Sequence, residues 1–184
     1  VLLGKVYWTP ELALDPFHKW LLNHAQFSFK KLEGGKIKGL KDQWRFFYTS
    51  NISVKRELIE DLRFSDQFTG WGFEDTEFAY RASKKREGIN KSLEIIYDQN
   101  CRVLHDHPQT LEIVLENTRN ARKNALIFEK LHPEVKILPR GGKLLVLKVI
   151  LFLLTITPKF LLPKPYYWWR EWKKAWIKIP SDPA

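Results

Sequence analysis

The chain has 184 residues, a length that suits one folded domain with a hydrophobic core. Hydrophobic residues make up 44% of the chain and aromatic residues 14%, which excludes an intrinsically disordered protein. The single cysteine, Cys101, excludes an internal disulfide and is typical of a reducing compartment. The net charge of +10 is uneven, because residues 140–184 hold nine Lys or Arg against two acidic residues. The basic charge therefore indicates what kind of partner the C-terminal segment binds, rather than a partner of the whole chain.

The first third of the chain predicts short strands and short helices. Residues 1–8 predict a strand, and a short helix with Asp15 as its N-cap follows. Ser53 is predicted to cap another short helix that reaches Leu58. Aromatic and apolar residues favour further strands at residues 26–32, 36–40 and 44–49.

The middle of the chain predicts two helices separated by two short strands. The first helix covers about residues 76–86, and Gly88 suits its C-terminal end. The strands are expected at residues 93–97 and 101–104. A long helix follows at residues 110–131, with one apolar stripe. Its other face is predicted to be solvated surface and carries Arg119, Arg122, Lys123 and Lys130.

The C-terminal segment combines apolar and basic character. Residues 144–157 are apolar apart from Lys148, but a run of about 14 residues is too short to span a bilayer. From Tyr166 onwards, aromatic residues recur every three or four positions with basic residues opposite, which is typical of a helix at a membrane surface. The alternative is a helix docked on its own domain or on another protein. We expect a folded region at 1–138 and a tail at 139–184 whose stretch 144–178 meets a membrane.

A glycine-rich and acidic motif lies at residues 68–78. Gly70 and Gly72 permit a bent loop on which Trp71 would present a flat apolar wall. Glu74 and Asp75 lie directly behind it, and crowded carboxylates are costly unless a metal, a cation or a proton offsets them. The alternative is that Asp75 only caps the following helix. The Gly-Trp-Gly lead-in and the adjacent glutamate favour a functional site.

Three segments in this order resemble the family 2 glycosyltransferases of the GT-A fold. Residues 47–56 resemble an aromatic, Asn, small and basic segment of that family. Residues 68–81 resemble its Gly-Trp-Gly-x-Glu-Asp-x-Glu…Arg signature, which is also similar to the C-terminal region of animal galactosyltransferase and chondroitin-synthesising domains. Residues 103–108 are similar to its histidine segment. The resemblance covers about residues 1–130 and implies an α/β chain: the acceptor-side half of a Rossmann-like GT-A fold, with a helical C-terminal tail.

The resemblance implies transfer of a sugar, with inversion, from a nucleotide-diphosphate-sugar donor to the hydroxyl of a saccharide or lipid-linked acceptor. Asp75 corresponds to the general base, and Glu74 would position the acceptor or Asp75 itself. The substrate-binding residues implied are Trp71, Gly70, Gly72, Asn51 and Arg81. For Arg81, anchoring of the acidic loop is favoured over substrate contact.

A divalent metal, Mn²⁺ or Mg²⁺, is also implied by the resemblance, with His105 as its ligand and His107 as the alternative. The remaining alternative is an exposed histidine pair before Pro108. The family's Asp-x-Asp motif, which binds metal and diphosphate, occurs nowhere in the chain. We therefore expect a fragment that lacks the donor-binding half and does not catalyse alone.

Two competing functions are a nucleic-acid or membrane-binding module without catalysis and a degenerate glycosyltransferase that serves as a scaffold. The acidic cluster would repel phosphate, so no nucleic-acid partner is expected. The expected location is the cytoplasm, in peripheral association with the cytoplasmic membrane.

Overall fold

The computed structural model describes residues 1–26, 29, 32, 37, 40, 42–87 and 93–177. Within these residues the chain is mixed α/β, as predicted, and is compatible with part of a glycosyltransferase-like fold. It forms two compact units, one of residues Val1–Asp66 and Phe73–Pro108, the other of Gln67–Gly72 and Gln109–Ala184. These units are defined by packing alone, so the division of the sequence at residue 138 and the assignment to half of a GT-A fold stay predictions.

The first unit contains a three-stranded sheet within its described residues, in the order β2-β1-β3. Strand β1 (Leu2–Trp8) confirms the strand predicted at residues 1–8, and core side chains such as Leu3 and Val6 are buried on it. It is the central strand of the three. It pairs antiparallel with β2 (Ile52–Ser53) and parallel with β3 (Ile96–His105).

Strand β3 contains a bulge that the sequence analysis interpreted as a break. Gly4 of β1 pairs with Asp98 and Lys5 with Arg102, so residues 99–101 have no pairing partner in β1. The Asp98 carboxylate accepts a hydrogen bond from the N–H of Asn100 at 2.8 Å. The two strands predicted at 93–97 and 101–104 are therefore one strand, because polar turn-forming residues are accommodated in its bulge.

Two short helices follow β1, α1 (Pro10–Leu14) and α2 (Pro16–Leu21). Asp15 caps α2 as predicted, since its carboxylate accepts a hydrogen bond from the N–H of His18 at 3.0 Å. Residues 22–26 then form a π-helical turn. The strands predicted at 26–32 and 36–40, and the helix end at Gly88, lie largely or wholly outside the described residues.

The strand predicted at 44–49 is wrong. Residues 43–46 and 49–51 are 3₁₀ turns instead. Trp44 and Phe47 are both buried, and their spacing of three places both rings against the following long helix, at 5.1 Å from Tyr80 and 5.9 Å from Phe78. Packing on a helix, rather than pairing in a sheet, determines this segment.

The predicted cap at Ser53 is also wrong, because Ser53 ends strand β2. A 3₁₀ turn at Arg56–Leu58 begins after Lys55 without a side-chain cap.

Helix α3 (Glu74–Glu87) confirms the helix predicted at about 76–86. Its first turn is acidic and its last turn basic, the order that the helix dipole favours. Because the helix begins at Glu74, Asp75 lies inside its first turn. The alternative in which Asp75 is only an N-cap is therefore wrong.

The second unit contains α4 (Leu111–Leu131), α5 (Gly141–Ile156) and α6 (Lys164–Ile177). Thr110 caps α4 by accepting a hydrogen bond from the N–H of Ile113 at 3.3 Å. The predicted apolar stripe of α4 is confirmed, and its buried members include Val114, Thr118, Ala121, Ala125 and Phe128. In the described residues no helix has both the length and the apolar character needed to cross a bilayer.

One basic residue of α4 departs from the prediction of a solvated face. Arg122 is buried and donates a hydrogen bond to the carbonyl of Trp176 in α6. Burial lowers the pKa of Arg122, because a charged group is less stable away from water. Helix α6 thus packs on α4 and covers Arg122, whereas Arg119, Lys123 and Lys130 are exposed, as predicted.

Candidate functional site

The carboxylate of Asp75 is held by hydrogen bonds from two segments of the chain. Its Oδ2 accepts from the backbone N–H of Thr49 at 3.4 Å. Its Oδ1 accepts from the N–H of Thr76 at 2.7 Å and from the Thr76 hydroxyl at 3.2 Å. The structure therefore brings together the segment at 47–56 and the acidic motif, two of the three segments selected in the sequence.

The surroundings of Asp75 raise its pKa from 3.8 to about 6. Burial of the carboxyl is the largest cause, and the nearby negative charge of Glu74 adds to it. The hydrogen bonds from Thr49 and Thr76 act in the opposite direction, since they stabilise the ionised form. A carboxylate with a pKa near 6 is mostly ionised at neutral pH and accepts a proton more readily than an ordinary one.

Glu74 contributes more than its charge. In the described part of the chain no hydrogen-bond donor reaches its Oε2, although this atom is buried. A buried carboxylate oxygen without a donor is costly, and a hydroxyl group or water bound beside it would remove that cost. Glu74 therefore offers an oxygen that needs a hydrogen-bond donor, and the adjacent Asp75 offers a carboxylate that can accept a proton.

The backbone before these carboxylates is bent through positive φ values, as the two glycines of the motif suggested. Gly70 and Gly72 have φ values of 74° and 98°. Phe73 has φ of 73°, which is uncommon for a residue with a side chain. Its carbonyl nevertheless accepts the first helical hydrogen bond of α3, from the N–H of Glu77 at 2.8 Å. Such strain of about 1–3 kcal/mol is often found at functional sites.

In the second unit, residues 67–72 are seated on α4. The Asn124 side chain donates to the carbonyl of Gly72 at 2.8 Å. A Cβ at Gly72 would lie 2.9 Å from the Cβ of Ala121, so the loop approaches the helix as closely as only glycine allows. Trp71 is 45% exposed on this loop. An exposed indole on a firmly seated loop suits stacking, although the sugar-binding role of Trp71, Gly70 and Gly72 stays a prediction.

Asn51 makes contacts within the sheet. Its Nδ2 donates to the carbonyl of Lys5 at 3.2 Å and to that of Cys101 at 3.0 Å, which closes the bulge of β3 over β1. A Cβ at Gly4 would lie 2.2 Å from this nitrogen, so Gly4 provides the space for the clamp. These bonds give Asn51 a structural role, and its contact with substrate stays a prediction.

Arg81 interacts with its own helix and with a preceding loop. Its guanidinium donates to Oε1 of Glu77 at 2.8 Å and to the carbonyl of Arg63 at 2.6 Å. Glu77 is only 2% exposed, so the nearby cation offsets much of the cost of its burial. These contacts give Arg81 a structural role in α3 and the preceding loop, while anchoring of the acidic loop and contact with substrate stay predictions.

The two histidines lie at and after the end of β3. The His105 ring packs 5.2 Å from that of Trp8 and 5.9 Å from that of His107. Burial, and then the neighbouring His107, lowers the pKa of His105. Among the described residues no three His, Cys, Asp or Glu side chains gather closely enough to hold a metal ion. The described donors therefore do not make up a complete metal site.

Several residues of this arrangement were not selected from the sequence. Gly4 carried a usable signal, because an isolated glycine in a strand often marks a bulge or a close approach. Thr49 and Asn124 carried no such signal. Thr49 acts through its backbone N–H, which every residue type but proline has, and Asn124 acts on Gly72, which lies 52 positions away.

The chain is similar to one curated protein named as a glycosyltransferase. Over 95 residues, 48% of this chain, it is 28% identical to "Uncharacterized glycosyltransferase YfnE" of Bacillus subtilis (strain 168). The match spans about a quarter of that protein, 24% of its length. No family model matches the chain, and no solved structure matches it significantly. The similarity supports a relationship to glycosyltransferases at this general level.

Proposed function

We propose that this chain forms the acceptor side of an inverting glycosyltransferase of the family 2 type. The observation that carries the proposal is Asp75, a carboxylate with a pKa of about 6 that is oriented by two threonines inside the Gly-Trp-Gly-x-Glu-Asp motif. The similarity to a protein named as a glycosyltransferase supports the same reaction class. The donor is a nucleotide-diphosphate-sugar and the acceptor a saccharide or lipid-linked hydroxyl.

In the proposed step, Asp75 takes the proton of the acceptor hydroxyl while the hydroxyl oxygen attacks the anomeric carbon of the donor sugar. The new carbon–oxygen bond forms on the face opposite the diphosphate, and the old bond breaks with its electron pair on the leaving diphosphate. The configuration at the anomeric carbon is thereby inverted. General-base assistance of this kind contributes about 10² to 10⁴ in rate.

Glu74 and Trp71 have supporting roles in this proposal. The charge of Glu74 raises the pKa of Asp75 and thus makes it a stronger base, and its buried Oε2 would accept a hydrogen bond from the acceptor. Trp71 offers a flat apolar surface, which suits the apolar face of a pyranose ring. His105, or alternatively His107, is proposed as one ligand of a divalent metal that would neutralise the leaving diphosphate.

The test is an Asp75→Asn substitution in the longest polypeptide in which this sequence occurs. A panel of nucleotide-sugars is supplied with saccharide and lipid-linked acceptors, and release of nucleoside diphosphate is measured. Loss of the base should lower kcat by about 10² to 10⁴ with little change in KM for the donor. Asp66→Asn, an exposed carboxylate outside the motif, is the matched control and should keep full activity.

Turnover by Asp75→Asn at the rate of the control would remove the general-base assignment. Absence of transfer by the wild-type protein with every donor and acceptor of the panel would remove glycosyl transfer itself.

A further inference from the structure

Helix α5 is apolar on both of its sides. Its inward side has Leu151 buried and Leu144, Leu147 and Leu154 half-buried, at helical spacings of three and four. Its outer side exposes apolar residues instead of the polar ones that a helix at a water-facing surface carries. The exposed set is Leu145, Val146, Val149, Ile150, Phe152, Leu153 and Ile156.

The outer apolar residues form a continuous surface on the helix. Leu145, Val149, Phe152 and Ile156 follow one another at steps of four, three and four residues, so neighbouring side chains lie side by side. Leu145 and Phe152 are each 64% exposed. Large contiguous apolar patches are rare on a monomer in water and mark an interaction surface.

The basic charge on and around α5 indicates which kind of partner this apolar surface binds. Residues 141–169 contain four lysines, Lys143, Lys148, Lys159 and Lys164, and no acidic residue. A second copy of the chain would bring these like charges together, whereas an anionic lipid surface would attract them. Lysine side chains can extend to headgroups while neighbouring apolar residues enter the acyl region. The segment therefore complements an anionic bilayer better than another copy of itself.

The aromatic helix α6 does not offer the same surface. It packs against α4 and α5, and its tryptophans, Trp168, Trp169, Trp172 and Trp176, are half-buried. Arg170 of α6 is buried and donates to the carbonyl of Leu154 in α5 at 3.0 Å. The tryptophans of α6 therefore contribute to packing within the second unit, whereas the outer apolar residues of α5 remain exposed.

We propose that the outer face of α5, together with the turn at Lys159–Leu161, binds an anionic lipid bilayer with the helix lying in the plane of the interface. The 16 residues of α5 would extend about 24 Å along a helix axis, less than the thickness of a hydrocarbon core, so the helix rests in the interface rather than crossing it. Exposed Phe160 and Leu161 extend the apolar surface beyond the helix. The proposal depends on the second unit alone and is independent of the catalytic role of Asp75.

The test uses the full chain with vesicles of phosphatidylcholine that contain or lack phosphatidylglycerol, and measures co-sedimentation. The wild type should bind the anionic vesicles, and added salt should weaken that binding. Leu145→Gln with Phe152→Gln should lower the partition coefficient at least about tenfold. Lys143→Gln with Lys148→Gln should lower it roughly fivefold per lysine.

The matched control is Leu14→Gln with Leu104→Gln, which removes two leucines of the first unit that are at least as exposed as Leu145 and Phe152, 82% and 65%. This variant should bind within about twofold of the wild type, since neither residue belongs to the proposed surface. Circular dichroism checks that each variant is folded.

Two outcomes would overturn the proposal. The first is that the wild type does not bind the anionic vesicles, or that the α5 variant binds them as well as the control does. The second is that, without lipid, the wild type sediments as a dimer and the α5 variant as a monomer. The outer face of α5 would then be occupied by a second copy of the chain.

Discussion

The backbone N–H of Thr49 donates a hydrogen bond to the Asp75 carboxylate at 3.4 Å. Thr49 opens the 3₁₀ turn Thr49–Asn51, and Asn51 at the other end of that turn clamps the bulge between β1 and β3. One short turn thus connects the carboxylate to the sheet. Any substitution that loosens the clamp is expected to disturb the position of the base as well.

The first prediction concerns the cost of keeping Asp75 charged. Its pKa is about 6 in the folded protein and 3.8 for an ordinary aspartate, so its ionisation opposes folding. The free-energy cost of this ionisation has its full value above about pH 6 and disappears as the pH falls towards 4. Asp75→Asn should therefore stabilise the fold by roughly 2–3 kcal/mol at neutral pH, and by much less near pH 4.

Urea unfolding of the wild type and of Asp75→Asn at both pH values measures this difference. The exposed Asp66→Asn substitution should change the free energy of unfolding by no more than about 0.5 kcal/mol. An Asp75→Asn protein that is no more stable than the wild type at neutral pH would show that the carboxyl is not destabilised by its surroundings.

The second prediction separates the two roles of Asn51. Asn51→Ala removes both hydrogen bonds to the β1–β3 bulge and should cost about 1–3 kcal/mol of stability. Asn23→Ala is the matched control, because the Asn23 amide also donates to a backbone carbonyl, that of Lys19 at 2.7 Å, but on the exposed surface. The control should cost under about 0.5 kcal/mol. Thermal unfolding and the KM for donor and acceptor are measured together.

A stable Asn51→Ala protein with a strongly raised KM would identify Asn51 as a substrate-binding residue. We expect the loss of stability, and an unchanged KM beside it would restrict Asn51 to its structural role.

The third prediction concerns the glycine that seats the Trp71 loop. Gly72→Ala places a Cβ 2.9 Å from that of Ala121 and requires φ of 98°, so we expect a cost of roughly 2–4 kcal/mol. Gly142→Ala meets nothing within 4 Å and lies in the first turn of α5. This control should be neutral or more stable by up to about 1 kcal/mol. Equal stability of the two variants in chemical unfolding would show that the loop is not held closely against α4.

Local patterns predicted much of the backbone. Strand β1, helix α3 and helix α4 follow from alternation, from charges at helix ends and from an apolar stripe, all of which are local properties. The Gly-Trp-Gly and acidic motif likewise located the candidate base and its strained loop, because both depend on adjacent residues.

Features that depend on distant partners could not be predicted. Trp44 is β-prone in isolation but packs on Tyr80, and Arg122 is charged but covered by α6. The bulge of β3 depends on Gly4 and Asn51, which are far from it in sequence. The raised pKa of Asp75 depends on burial, which no count of neighbouring carboxylates provides.

The measurement that tests the central claim most directly is the pH dependence of kcat/KM for sugar transfer. If Asp75 is the base, kcat/KM should fall about tenfold per pH unit below an inflection near pH 6. Glu74→Gln should move that inflection to lower pH, because the Glu74 charge raises the pKa of Asp75. A profile that stays flat down to about pH 4, or an inflection that Glu74→Gln leaves in place, would contradict the assignment of Asp75 as general base.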